Sequence, residues 1–146
     1  MPSNLTDEGL RAWKALLNAH DRATEAIERR LLRAGKISLT WYDVLWTLKK
    51  SEAGRLRFRD LQENVVLSRS ALSRCVDALA KAGLVEKKSC PGDLRGLEVE
   101  VTAQGRRALV RAWPIYRQGI VEHFTRHLTD VECQQLSAIL SKIGLP

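Results

Sequence analysis

The feature that most constrains this chain is a regular series of positions near its N-terminus: Leu10, Trp13, Leu17, His20, Thr24, Ile27, Leu31 and Ala34. The steps alternate between three and four. That repeat places every member on one face of an α-helix, as a seam of coiled-coil type. Thr6 stands where a capping hydroxyl is wanted, and Leu5 and Leu10 have the spacing of a hydrophobic staple. Gly35 can end the helix. At about 1.5 Å per residue the helix is roughly 40 Å long. A helix of that length protrudes from a small lobe, so its seam needs a partner, and a second copy of the chain is expected to supply it.

The remaining elements follow from local signals. Thr40 and Asp43 form a capping box flanked by Leu39 and Val44, and open a helix reaching about Lys50, with Tyr42, Leu45 and Leu48 as core candidates. A turn at Ser51–Gly54 leads to a short strand, Leu56–Phe58, and a short helix from Arg59 to about Asn64. Ser68 caps the next helix, whose buried face is Leu72, Val76 and Leu79, and Gly83 closes it. Leu84–Lys88 and Leu97–Val101 read as two strands joined by the turn formers Ser89–Gly96, a hairpin with a long tip. Thr102 caps a long helix to about Arg126 that Pro114 should kink or divide. A capping box from Thr129 to Glu132 starts a last helix that ends near Gly144. The expected fold is mainly α with a small β-wing. It comprises one domain, 1–146: a lobe over 38–102 and flanking helices over 5–35 and 103–144.

Charge is informative through its placement. The net charge is +7, and residues 55–111 carry 12 basic against 7 acidic groups, while residues 112–146 carry three of each. A local basic excess fits a polyanion site or a solvated basic face. No run of about 18 apolar residues occurs. The opening Met-Pro-Ser-Asn-Leu-Thr-Asp-Glu lacks the basic start and apolar stretch of a signal peptide. A cytoplasmic protein without membrane contact is therefore expected. Cys75, Cys90 and Cys133 include no CxxC pair, so reduced thiols are expected, not a disulfide framework or a zinc site.

The two helices Arg59–Asn64 and Ser68–Ala82 form a helix-turn-helix, with the hairpin as its wing. The outer face of the second helix carries Ser68, Arg69, Ser70, Ser73, Arg74 and Asp77. Short hydroxyls and guanidinium groups can approach base edges and phosphates, and in this motif the first turns of the second helix meet the bases. An ordinary solvated helix face is the alternative. Arg95, between Gly92 and Gly96 at the hairpin tip, has the reach to enter a minor groove. Asp93 is expected to hold the tip or the Arg95 guanidinium in place.

The stretch Leu67-Ser-Arg-Ser-Ala-Leu-Ser-Arg-Cys-Val-Asp-Ala-Leu-Ala-Lys-Ala-Gly-Leu-Val85 is similar to the recognition-helix signature of MarR-family regulators. Asp93-Leu-Arg95-Gly96, followed by Val99-Glu-Val-Thr102, resembles that family's wing motif. Trp41-Tyr-Asp-Val-Leu45 resembles the start of its second helix. The resemblance implies a homodimeric transcription factor whose terminal helices interlock and whose two lobes read pseudo-palindromic double-stranded DNA. By motif position it implies Ser70, Ser73 and Arg74 as readers of bases or phosphates, and Arg95 as the minor-groove residue. Ala71 stands where many members have Thr, one polar contact fewer.

The family commonly answers to small anionic or phenolic compounds or to oxidants. Trp13, His20, Thr24 and Trp41, with Trp46 nearby, are the candidates for lining a site for a small aromatic or anionic effector. The alternative is a hydrogen-bonded histidine in the dimer seam, with the tryptophans as core. Cys90, beside Lys87 and Lys88, is the candidate for a thiol-based response, and Cys75 is expected to behave as a small hydrophobe. No P-loop, HExxH or Ser/His/Asp order is present, so neither an enzyme nor a cofactor is expected. His123 and His127, spaced as an i,i+4 pair, make a weak metal site at most. The expected function is a DNA-binding regulator, a repressor released by ligand. The alternatives are a winged-helix module for protein partners and a redox-responsive regulator.

Overall fold

The structure, a computed structural model, describes residues 4–89 and 96–144. Its elements are helices α1 (Asp7–Arg33) and α2 (Leu39–Lys50), strand β1 (Arg55–Arg57), helices α3 (Phe58–Asn64) and α4 (Arg69–Lys81), strands β2 (Val85–Ser89) and β3 (Leu97–Val101), and helices α5 (Ala103–His123) and α6 (Asp130–Gly144). They fall into two compact units. One is Leu31–Ile115, and the other draws on both ends of the chain, up to Arg30 and from Tyr116 onward.

The central unit holds nearly all of the core. Val44, Leu45 and Leu48 of α2, Leu61 of α3, Leu72, Val76 and Leu79 of α4, Val85, Val99 and Val101 of the strands, and Leu109 and Ala112 of α5 are all buried. The α4 residues are the trio that its apolar spacing predicts. Each fully buried aliphatic side chain contributes about 1.5–3 kcal/mol relative to exposure. Helix α2 packs on α3, α4 and β3. Tyr42 of α2 stacks against Trp113 of α5, with ring centroids 6.4 Å apart.

Local capping sets most boundaries as expected. The Thr6 hydroxyl accepts from the Gly9 amide at 3.0 Å, and that of Ser68 accepts from the Ala71 amide at 3.2 Å. Gly35 and Gly83 both take positive φ, 68° and 78°, to close α1 and α4. Thr102 caps α5 through the Gly105 amide and also donates to the Gly83 carbonyl, at 3.0 and 2.7 Å. The Thr129–Glu132 box is fully reciprocal, with bonds of 2.9 and 3.1 Å.

Several expectations need correction. Helix α2 is capped by Ser38, whose hydroxyl accepts from the Trp41 amide, and not by Thr40. Leu39 is thus the first helical residue and not the outer half of a staple. The first strand starts at Arg55 and stops at Arg57. Helix α5 passes through Pro114 undivided and ends at His123, short of Arg126, before a 3-10 turn at Thr125–His127. Proline removes the amide that the Val110 carbonyl would accept, and Val110 is exposed, so water can satisfy that carbonyl. The three strands form one antiparallel sheet in the order β1-β3-β2, with Leu56 opposite Val99 and Lys87 also opposite Val99.

The terminal unit is built differently. Ile27 is its buried aliphatic residue, and it fits against Gly119, where a Cβ would lie 2.9 Å from the Ile27 side chain. Arg30 pairs with Glu122 in the same unit, and that pairing holds the Glu122 carboxyl below its ordinary pKa. Helix α6 buries none of its 15 residues.

Candidate functional site

Helices α3 and α4, with the turn between them, form the helix-turn-helix, and β2 and β3 follow as the wing strands. Ser70, Ser73, Arg74 and Asp77 share one stripe of α4, at successive steps of three, one and three, and all are exposed. Arg69 is also exposed, at the first helical position. Ser68 is occupied as the cap, with its oxygen 3.4 Å from that of Ser70. The structure thus brings Ser68, Arg69, Ser70, Ser73 and Arg74 together on one helix start. Asp93 and Arg95 lie outside the described residues, as does Cys90.

Asp77 closes the stripe at its C-terminal end, and sequence reasoning left it without a role. The Lys87 ammonium of β2 donates to its carboxylate at 2.6 Å, tying α4 to the wing strand. Lys88 donates to Glu100 across the β2–β3 pair at 2.6 Å. Its side-chain hydrogen bond with Glu100 raises the Lys88 pKa and lowers that of Glu100. Both lysines expected to activate Cys90 are therefore committed to carboxylates. Cys75 is half-buried, and desolvation pushes its thiol pKa up, in keeping with a small hydrophobe.

The terminal unit carries an open apolar groove of about 680 Å³ between α1 and α6. Trp13, His20 and Thr24 line it, together with Leu16, Ile139 and Ile143 among others. Trp41 belongs to the other unit and is not among the lining residues. Leu10 and Leu17 of the expected seam are exposed and do not line the groove either. The groove face of α1 runs instead along Ala12, Leu16, Ala19 and Ala23. The Thr24 hydroxyl donates to the His20 carbonyl at 2.7 Å, and His20 Nδ1 lies 3.3 Å from an Asp21 carboxylate oxygen. Both polar groups thus have partners within α1.

His123 ends α5 and His127 sits in the following 3-10 turn, so the two do not share a helix face. Among the described residues no cluster of three or more His, Cys, Asp or Glu side chains could hold a metal ion. Among the described residues no helix is long and apolar enough to cross a membrane.

A short helix, a second helix with an exposed polar and basic start, and a paired strand wing define a winged helix-turn-helix protein. The family is MarR. Residues 37–97, which contain both helices of the motif and the first wing strand β2, match the MarR family model. The chain is 26% identical over 128 residues to the HTH-type transcriptional repressor IacR of Pseudomonas putida, covering 88% of this chain and 74% of that protein. The fold matches AbsC, a MarR family transcriptional regulator from Streptomyces coelicolor, with a TM-score of 0.84 and 28% identity, over 97% and 95% of the two chains. It also matches Sco3205, a MarR family regulator from the same organism solved in complex with DNA, with a TM-score of 0.87 and 28% identity, over 98% and 89%.

Proposed function

We propose that this chain is a sequence-specific, double-stranded-DNA-binding transcriptional repressor that acts as a homodimer in the cytoplasm, without catalytic activity of its own. The observation that carries the reading is the exposed stripe Ser70, Ser73, Arg74 at the start of α4, mounted on a fully buried Leu72, Val76, Leu79 face. A rigid base under short polar readers suits the major groove, where arginine can pair bidentately with guanine. The similarity to the Pseudomonas putida repressor and to the DNA-bound Streptomyces regulator supports the same reading. Arg95 is assigned to the minor groove, with Asp93 orienting it.

The homodimer is supported by the terminal unit. A helix of 15 residues that buries none of them gains little from its own unit. Trp13 is 56% exposed and Ile143 76% exposed beside the α1–α6 groove. A second copy would cover that apolar surface, and a two-fold pair would match a pseudo-palindrome. We assign Trp13, His20 and Thr24 to an effector site for a small aromatic or anionic compound. Its support is the polar pair His20 and Thr24 within an otherwise apolar lining.

Selection of bound duplexes from a random library tests the function, repeated with a panel of aromatic acids. A recovered pseudo-palindrome whose binding weakens with an acid is the expected result. Recovery of no consensus would sink the DNA reading. A consensus insensitive to the whole panel would sink only the effector.

A further inference from the structure

The exposed side of α2 is turned away from α4. Its buried side packs on α3, α4 and β3, so a duplex held on the outer face of α4 leaves it uncovered. The first part of α5, up to Ile115, lies beside α2 in the same unit. Tyr42 stacks on Trp113, and Leu45 meets Gly105, where a Cβ would lie 3.3 Å from the leucine side chain. The two helices are therefore antiparallel. Trp46, one turn after Tyr42, stands near the level of Val110, one turn before Trp113.

Large apolar side chains lie open to solvent along this pair. Trp46 is 43% exposed, Val110 67% and Trp113 45%. Contiguous apolar surface of this kind marks a site of interaction. In α2 and this part of α5, Lys49, Lys50, Arg106, Arg107 and Arg111 stand against a single acid, Asp43. The charge of Arg106 also acts on Glu100 of β3. Lys49, Arg107 and Arg111 have no ion pair among the described residues. The Lys49 ammonium lies over the Trp46 ring, 5.2 Å from its centroid, and Trp113 is stacked on Tyr42. One face of each indole is thus already taken. What remains exposed suits burial against aliphatic or aromatic side chains better than stacking on bases. Tryptophan and arginine are also the residues that dominate protein interfaces.

We propose that the α2–α5 face centred on Trp46 is a docking surface for another protein, which it takes through an acidic segment carrying an apolar anchor. Charge decides among the occupants. A second copy of this chain brings a net charge of +7, a poor match for a basic rim, and it is already assigned to the α1–α6 groove. An acidic segment matches the rim. Its carboxylates meet Lys49, Arg107 and Arg111 while its anchor covers Trp46, Val110 and Trp113. Because the face is turned from α4, the partner and a duplex can be held at once.

The test uses the full chain and a random-peptide phage library, panned on wild type and counter-selected on Trp46→Ala. Enriched peptides are expected to combine Asp or Glu with Leu, Phe or Trp. A synthetic copy of the leading peptide should bind Trp46→Ala at least about tenfold more weakly than wild type. Arg111→Glu, a charge reversal at an exposed position, should weaken it by a similar factor, and wild-type affinity should fall with salt. A selected duplex at saturation should leave peptide binding unchanged. No enrichment, or enriched peptides without acids, would overturn the proposal. Peptide binding that Arg111→Glu leaves intact would overturn it as well. Displacement of the peptide by duplex would place it on α4 instead. Trp46-dependent binding of a fluorescent oligothymidylate, with no acidic peptide recovered, would assign the face to single-stranded nucleic acid. Sedimentation of Trp46→Ala shifted toward monomer would assign it to the second copy. Each of these three reassignments also ends the proposal.

Discussion

Arg74 sits in the middle of an exposed stripe, with Ser70 and Ser73 before it and Asp77 one turn after. Replacing it with alanine is expected to cost about 1–3 kcal/mol of binding to a selected site and to relax preference at one base position. An equal loss on scrambled DNA would make it a phosphate contact. Arg95→Ala should weaken selected-site binding and leave the sedimentation of the protein unchanged. Asp77 is an acid on the face that we assign to DNA, and Lys87 pairs with it at 2.6 Å. Lys87→Ala is therefore expected to weaken DNA binding most at low salt. Folding stability should move by less than about 1 kcal/mol, because exposed pairs contribute little. Beneath these residues Leu72 is fully buried, so Leu72→Ala should lower unfolding stability by about 2–5 kcal/mol, read by urea titration.

Helix ends in this chain are chemical switches as well as boundaries. Hydrogen bonds from the Thr129 amide and hydroxyl lower the Glu132 pKa, and Arg30 does the same for Glu122. A carboxyl with a lowered folded-state pKa stabilises fully above its unfolded pKa, and that contribution disappears as pH falls through the folded value. Glu132→Gln should thus be less stable than wild type at neutral pH and converge with it in acid, as urea midpoints across pH would reveal. Such caps are legible in sequence because donor and acceptor lie three residues apart, and Thr6, Ser68, Thr102 and Thr129 were all readable. At α2 the Thr40–Asp43 spacing imitated a box, while Ser38 does the capping from two residues earlier. Pairings between distant elements left no such local trace. The three-residue β1 is too short for its alternation to betray its partner β3. Arg57, Arg59 and Arg69 enter one cleft only because β1, α3 and α4 converge there. The groove that α1 forms with α6 was not legible, since the alanines lining it, Ala12, Ala19 and Ala23, do not stand out as a hydrophobic stripe.

For the whole molecule, the contrast between a well-filled central unit and a thinly filled terminal one makes the oligomeric state the decisive variable. Ile139 and Ile143 line the α1–α6 groove and stay exposed. Ile139→Glu is expected to shift the protein toward monomer in analytical ultracentrifugation and to reduce affinity for a full palindrome far more than for a half-site. The central unit should survive that change, since its core lies elsewhere. Within it, the junction of α4 and α5 is fastened twice, by the Thr102 hydroxyl on the Gly83 carbonyl and by the Thr102 amide on the Leu84 carbonyl. Gly105 presses so close that a Cβ there would lie 2.3 Å from the same Leu84 oxygen. The end of α4 and the beginning of α5 are therefore expected to open together. In hydrogen–deuterium exchange, the amides of Leu84, Thr102 and Arg106 should share one protection factor and one denaturant dependence, as a single cooperative unit. An effector that moves α4 is then expected to carry the lobe with it.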